Sequence, residues 1–168
     1  MNTHTQPTAG NRIMTIPVAE DTTVSPEHVL AAVRDFSDRR AQVFPAVSTR
    51  HMTVHALADT SADVTEGTRL GPFVIWERCR YDWSKPGRVT ATVVDSNVYG
   101  FPGSSWEITA TATDQGSHVD MTWTRWFQRR PLGRFMGFAY RHMGTRSFTK
   151  YGSDVVKNLE QLHKAEPH

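Results

Sequence analysis

A chain of 168 residues with 38% apolar and 21% charged side chains fits one domain with a buried core, and it excludes a wholly disordered polypeptide or two full-sized domains. Its single cysteine, Cys79, excludes an internal disulfide and a cysteine-based metal site, and is in keeping with a reducing compartment. The formal charge of +2 says little alone; no run approaches the roughly eighteen apolar residues of a membrane span, and the polar start does not read as a signal peptide, so a cytoplasmic location is expected.

In chain order, residues 1–11 carry no periodic apolar signal and read as a disordered tail, and 164–168 as a frayed end, with one domain over 12–163 between them. Arg12 to Ala19 reads as a first strand. Ser25-Pro26-Glu27 opens a helix, because a serine oxygen can cap free N–H groups and proline at the first helical position has none to leave unpaired. That helix is predicted to run to about Phe36 with Val29, Leu30, Ala32 and Val33 inward. A second short helix, about Asp38 to Phe44, ends at Pro45.

From residue 50 to 128 the apolar period becomes two, the signature of half-buried strands. Strands are predicted at about 50–58 and 67–71. Next, Phe73, Ile75, Glu77, Cys79, Tyr81 and Trp83 share an inward face, followed by Val89, Ala91 and Val93, then Trp106, Ile108, Ala110 and Ala112, then Val119, Met121, Trp123, Arg125 and Phe127. The short links Ser84-Lys85-Pro86-Gly87 and Asp114-Gln115-Gly116-Ser117 suit antiparallel neighbours. The predicted sheet is an antiparallel meander with one wet face.

Pro131 to about His163 reads as one long helix. Its later half places Phe148, Tyr151, Val155, Leu159 and Leu162 on one stripe, enough to cover the sheet. The earlier half puts Gly137, Arg141 and Gly144 on that stripe and Phe135, Met136, Ala139 and Met143 opposite. Glycine costs up to about 1 kcal/mol in a helix interior, so space for a ligand beneath the helix is one reason for glycines there.

Several motifs recur in one order: Ser25-Pro26-Glu27-x-Val29 with Asp35 near the helix end, Gly67-Thr68-Arg69, Lys85-Pro86 at a hairpin, Gly116-Ser117-His118-Val119 before the last strand, and Leu159 in the closing helix. On these the chain, over about 12–163, resembles the polyketide cyclase/dehydrase and lipid-transport group of the START and Bet v 1-like (SRPBCC) superfamily. It departs from the pattern at Leu30, where the family usually has an aromatic, and at Ser117-His118, where it usually has Thr-Arg. The resemblance implies an α+β helix-grip fold: a curved seven-stranded antiparallel sheet, two short helices and a long C-terminal helix over an apolar cavity. It implies a small hydrophobic or aromatic ligand and no particular reaction, since such folds host many functions.

Charge on a buried face is costly unless paired or wetted, which singles out Glu77 and Arg125 within the inward sets. Three strand spacings separate them, roughly 14 Å across a flat sheet, so only strong curvature would let them touch. They are the candidate polar ends of a cavity lined by Ile75, Cys79, Tyr81, Phe101, Trp106, Ile108, Met121, Trp123, Gly137, Arg141, Gly144 and Phe148. Such a cavity would bind a lipid, polyketide or aromatic metabolite. Were the protein an enzyme of cyclase or dehydratase type, Glu77 would serve as general base or acid and Arg125 would stabilise an enolate-like oxygen. Cys79 lacks an assignable base and reads as packing. His51 and His55 lie about 13 Å apart if both are in a strand, too far for one metal, and no phosphate-binding loop or nucleophile turn is present, so no metal or cofactor is expected. From Met121 to Lys150 there are seven Lys or Arg and no Asp or Glu. Within it the 129–143 segment could meet an anionic membrane or a protein partner, whereas a basic patch alone gives only non-specific attraction to nucleic acid, and no nucleic-acid partner is expected.

Overall fold

The computed structural model describes residues 13–165; the predicted tail over 1–11 and the end of the predicted frayed segment lie outside them. The order of elements is β1 (Met14–Thr22), α1 (Pro26–Val33), α2 (Arg40–Val43), a 3₁₀ turn (Thr49–His51), β2 (Thr53–Leu57), β3 (Ser61–Leu70), β4 (Phe73–Asp82), β5 (Arg88–Ser96), β6 (Ser105–Thr113), β7 (Gly116–Arg125) and α3 (Pro131–Ala165). Seven antiparallel strands form one sheet in the order β1-β7-β6-β5-β4-β3-β2. β1 closes on β7 with Met14 opposite Arg125 and Thr22 opposite Ser117. This is the predicted helix-grip α+β architecture, with α3 lying along the sheet.

Local chemistry explains where the elements differ from expectation. α1 starts at Pro26, but the Ser25 hydroxyl bonds His28 Nδ1 at 2.8 Å and does not cap the backbone. α1 stops at Val33, because Asp35 turns the chain by accepting the Ser37 N–H at 2.9 Å. His51 belongs to the 3₁₀ turn and not to a strand. β3 begins six residues before the predicted Gly67, which brings Ala62, Val64 and Glu66 onto the buried face. Phe73, predicted inward, is 51% exposed: it follows the Gly71 turn, where φ is +58°, at a hairpin tip that has left the core. α3 is helical through Ala165.

Two irregularities bend the sheet. The β4–β5 ladder slips by one residue between Arg78 and Cys79, and such a bulge sharpens local twist. β5 pairs with β6 only as far as Thr92 opposite Ser105. Beyond that point residues 98–100 pair with 126–128: Gly100 N–H donates to Trp126 O at 2.8 Å and Gln128 N–H to Val98 O at 3.0 Å. The Gln128 amide also donates to the carbonyls of Ser96 and Tyr99. At this end β4 and β7 are therefore drawn together.

The space between sheet and α3, where a cavity was expected, is lined by apolar side chains and is taken up by touching rings. Trp123 meets Phe148 at 5.0 Å and Tyr151 at 5.9 Å, Phe148 meets Tyr140 at 5.3 Å, and Tyr140 meets Phe127 at 5.0 Å. The glycines of α3 fit tight packing here. A Cβ on Gly137 would stand 3.3 Å from the Phe127 ring, and one on Gly152 only 2.7 Å from Val18. Gly144 faces Ile16 of β1. Close approach, not space for a ligand, accounts for Gly137, whereas a Cβ on Gly144 would meet Ile16 at an ordinary contact distance of 3.7 Å.

Arg40 fastens α2 to this core. It is 1% exposed, ion-pairs with Glu66 through Nε, and donates to Val33 O at 2.8 Å and to Tyr81 Oη at 3.0 Å. The Tyr81 hydroxyl in turn donates to Glu66 Oε2. Removing one member of a buried pair strands the other. Arg40→Ala is therefore expected to lower unfolding free energy by about 3–5 kcal/mol in urea titration, with part recovered in Arg40→Met/Glu66→Gln; a loss near zero would contradict this role.

Candidate functional site

Glu77 and Arg125 meet. Arg125 Nη2 lies 3.2 Å from Glu77 Oε1, with side chains 4% and 16% exposed respectively. The sheet curvature, the bulge beside Glu77 and the stitched 98–100 segment close the gap that a flat sheet would leave. Arg125 Nη1 donates to Ser105 O at 3.0 Å, and its guanidinium stacks over the Tyr99 ring at 4.6 Å. The Tyr99 hydroxyl is 2.9 Å from that of Tyr140 on α3. One carboxylate, one guanidinium and two phenols thus converge under the first half of α3.

The electrostatics set this group apart. Burial pushes the Glu77 carboxyl above the usual range, more than the attraction of Arg125 pulls it down, and the neighbouring Glu66 adds to the rise. Burial opposes the Arg125 charge, yet Glu77 together with Tyr99, Cys79 and Tyr140 more than offsets it, so the guanidinium stays cationic. Burial raises both phenols, most strongly Tyr99, which keeps them as neutral hydrogen-bond donors. Among the described residues, three buried side-chain polar atoms lack any partner: Glu77 Oε2, Arg125 Nε and His163 Nδ1. Two of the three belong to this one ion pair. A buried polar atom left unpaired is costly.

A second ion pair lies alongside, and it is complete. Glu66 stands directly opposite Glu77 across β3 and β4, and both of its oxygens are occupied by Arg40 and Tyr81. Sequence reasoning missed Glu66, Arg40, Tyr99 and Tyr140. Glu66 carried a signal, the alternation Ala62, Val64, Glu66; Arg40, in a four-residue helix, carried none.

The other predicted site residues fall into two groups. Ile75, Cys79, Tyr81, Trp106, Ile108, Met121 and Trp123 are buried in the inward core, with Phe101 and Phe148 partly buried against it. Burial, with Glu77 second, raises the Cys79 thiol well above its ordinary value, which suits packing rather than nucleophilic attack. Arg141 is corrected: it sits on the exposed face of α3, while Met136, predicted outward, is buried at 6% exposure. The helix is rotated from the assumed stripe because Gly133 and Gly137 lie against Gln128 and Phe127. The two clefts that stand out lie elsewhere. One is an open groove on the exposed face of α3 between Thr145 and Lys157; the other, about 150 Å³, lies between α1, α2 and the C-terminal end of α3.

No protein-family model and no curated protein matches the chain. Solved structures do match. TTHA0849 from Thermus thermophilus aligns at 12% identity and a TM-score of 0.70, over 91% of this chain and 100% of that one. Zhui aromatase/cyclase from Streptomyces sp. R1128 aligns at 12% identity and 0.67, over 91% and 94%. A START superfamily protein from Mycobacterium smegmatis aligns at 10% identity and 0.60, over 89% and 99%. At such identities the likeness speaks for the fold, and with the sheet order and the gripped helix it identifies this chain as having the START and Bet v 1-like helix-grip fold.

Proposed function

We propose that this protein binds a small, largely apolar or aromatic molecule beneath the first half of α3, and that a polar group of the molecule completes the Glu77–Arg125 pair. The observation that carries this reading is the contrast between two neighbouring ion pairs. Arg40 and Glu66 are fully hydrogen-bonded, whereas Glu77 Oε2 and Arg125 Nε have no partner. A hydroxyl placed between them would donate to the carboxylate and accept from the guanidinium, and rings of Trp123, Phe127, Tyr140 and Phe148 supply flat apolar surfaces beside it. Room for the ligand comes from displacement of Phe127, Tyr140 and Phe148, which are partly accessible and not locked in the fully buried core. Small-molecule pockets of this kind are apolar with a few placed polar groups.

A second reading is favoured by one observation, the raised pKa of Glu77 beside a retained cation. A carboxylate shifted towards neutrality exchanges protons more readily near pH 7. In a cyclase or dehydratase, Glu77 would remove a proton next to a carbonyl while Arg125 holds the oxygen as negative charge develops on it. The fold shared with Zhui aromatase/cyclase is in keeping with this and does not by itself select it.

Two outcomes test the pair. In calorimetric titration, 2-naphthol, which both donates and accepts, is expected to bind at least about tenfold more tightly than 2-methoxynaphthalene, a difference of about 1.4 kcal/mol. Arg125→Met should abolish that preference; equal affinities in wild type would overturn the reading. The pH dependence follows from Glu77. A carboxyl raised in the folded state contributes stability that is present below its unfolded value near 4.5 and lost as pH rises through the folded value. Glu77→Gln removes that loss, so its stability relative to wild type should climb as pH increases above about 4.5 in denaturation at a series of pH values. A flat or falling difference would show that Glu77 is not raised.

A further inference from the structure

The first turns of α3 present the reverse of an ordinary surface helix. Gly133, Met136 and Gly144 are turned inward, while Phe135, Phe138 and Met143 are 61–62% exposed. Arg134 and Arg141 share this outer face, one residue before Phe135 and three after Phe138. The Phe138 ring rests on His142 at 4.4 Å, so the apolar row is continued along the helix by an aromatic contact and not covered by another element.

The fold adds a second apolar element to the same end of the molecule. The β3–β4 hairpin tip exposes Leu70 and Phe73, with Arg69 beside them. The tip end of this hairpin is tied to the segment that leads into α3. The Asn97 side chain bonds Val74 O and the Trp76 N–H, and Gln128, three residues before α3, bonds the carbonyls of Ser96 and Tyr99. The hairpin and the start of α3 are thus anchored to one another through residues 96–99.

Charge at this end is mostly positive. Arg69, Arg130, Arg134 and Arg141 are exposed and make no ion pair among the described residues. Asp95, at the end of β5, has its carboxylate turned back onto the Ser96 N–H at 2.9 Å. From residue 121 to 153 there is no acidic side chain.

We propose that this end, the outer face of the first turns of α3 together with the β3–β4 hairpin tip, docks on an anionic lipid surface. The aromatic and methionine side chains enter the headgroup boundary, and the arginines, whose long stems lie along apolar surface while their heads stay polar, hold the lipid phosphates. Charge complementarity selects an anionic partner. The exposed rings select lipid over an acidic protein, because they project singly from a helix and a hairpin and do not form the walls of a pocket. The surface does not depend on what the interior binds, although it lies over the half of α3 that covers Glu77 and Arg125.

The test is co-sedimentation of the full chain with vesicles of phosphatidylcholine alone or with one quarter phosphatidylglycerol, at low and moderate salt. Binding to the anionic vesicles is expected to exceed that to the neutral ones by at least tenfold and to weaken with salt. Phe135→Ser/Phe138→Ser and, separately, Arg130→Gln/Arg134→Gln/Arg141→Gln should each lower binding at least tenfold with unchanged thermal melting, since all five side chains are exposed. Phe73→Ser should give a smaller loss in the same direction. Equal binding to both vesicles, no binding to either, or a phenylalanine pair variant that binds like wild type would overturn the proposal. Retention on immobilised poly-glutamate without vesicle binding would assign the surface to an acidic protein instead.

Discussion

Two carboxylates, Glu66 and Glu77, face each other across adjacent strands on the inside of the sheet. Like charges directly opposite are destabilising, and charges away from water are more so. The protein answers with one guanidinium for each, brought from opposite directions. Arg40 comes from α2 and fixes that short helix to the sheet, while Arg125 comes from the end of β7, across two intervening strands. The curl of the sheet, the bulge beside Cys79 and the paired segments 98–100 and 126–128 serve the second of these contacts. The gripped shape of the fold and the meeting of Glu77 with Arg125 are in that sense one structural fact.

The two pairs differ in how far they are finished, and the functional reading rests on that difference. Arg40 is enclosed by Phe36, Phe44 and Tyr81 rings and bonded on every side to protein. Arg125 rests on one ring, Tyr99, and retains an Nε without a partner, as Glu77 retains an oxygen. A satisfied buried network rigidifies, and a half-satisfied one is a standing cost. A ligand group that supplies both a donor and an acceptor removes that cost, which ties binding energy to a position in the fold rather than to apolar area alone. Outside, the same stretch of α3 that roofs this pair carries the exposed phenylalanines and arginines. The placement suits a ligand of low water solubility reaching the interior from a lipid surface.

Much of the architecture was legible because strand alternation and the long apolar stripe are periodic signals. The inward faces of β4 to β7 could be written out except at strand ends, where Phe73 and Ala112 are exposed, and Glu77 and Arg125 stood out in them as charges where apolar side chains belong. What failed was local. Glu66 escaped because β3 was started at Gly67, where a turn-forming residue looked like a boundary, although Ala62 and Val64 continue the alternation. Arg40 escaped because a cation on a four-residue helix looks like any surface cation until tertiary packing covers it. The rotation of α3 was misjudged because glycine can mean either space or close approach. Its stripe pointed to Arg141 and away from Met136, and only the proximity of Phe127 and Gln128 decides between the two meanings. Tyr99 and Tyr140 lie on a loop and on a helix and meet only in three dimensions, so no period in the chain announces them.

Native mass spectrometry of freshly purified wild type and Arg125→Met, expressed side by side, tests most directly whether the unfinished ion pair is completed by a ligand. The account predicts a non-covalent small-molecule adduct on the wild type that is released by mild activation and absent from Arg125→Met. The same adduct on both proteins, or none on either, would contradict it.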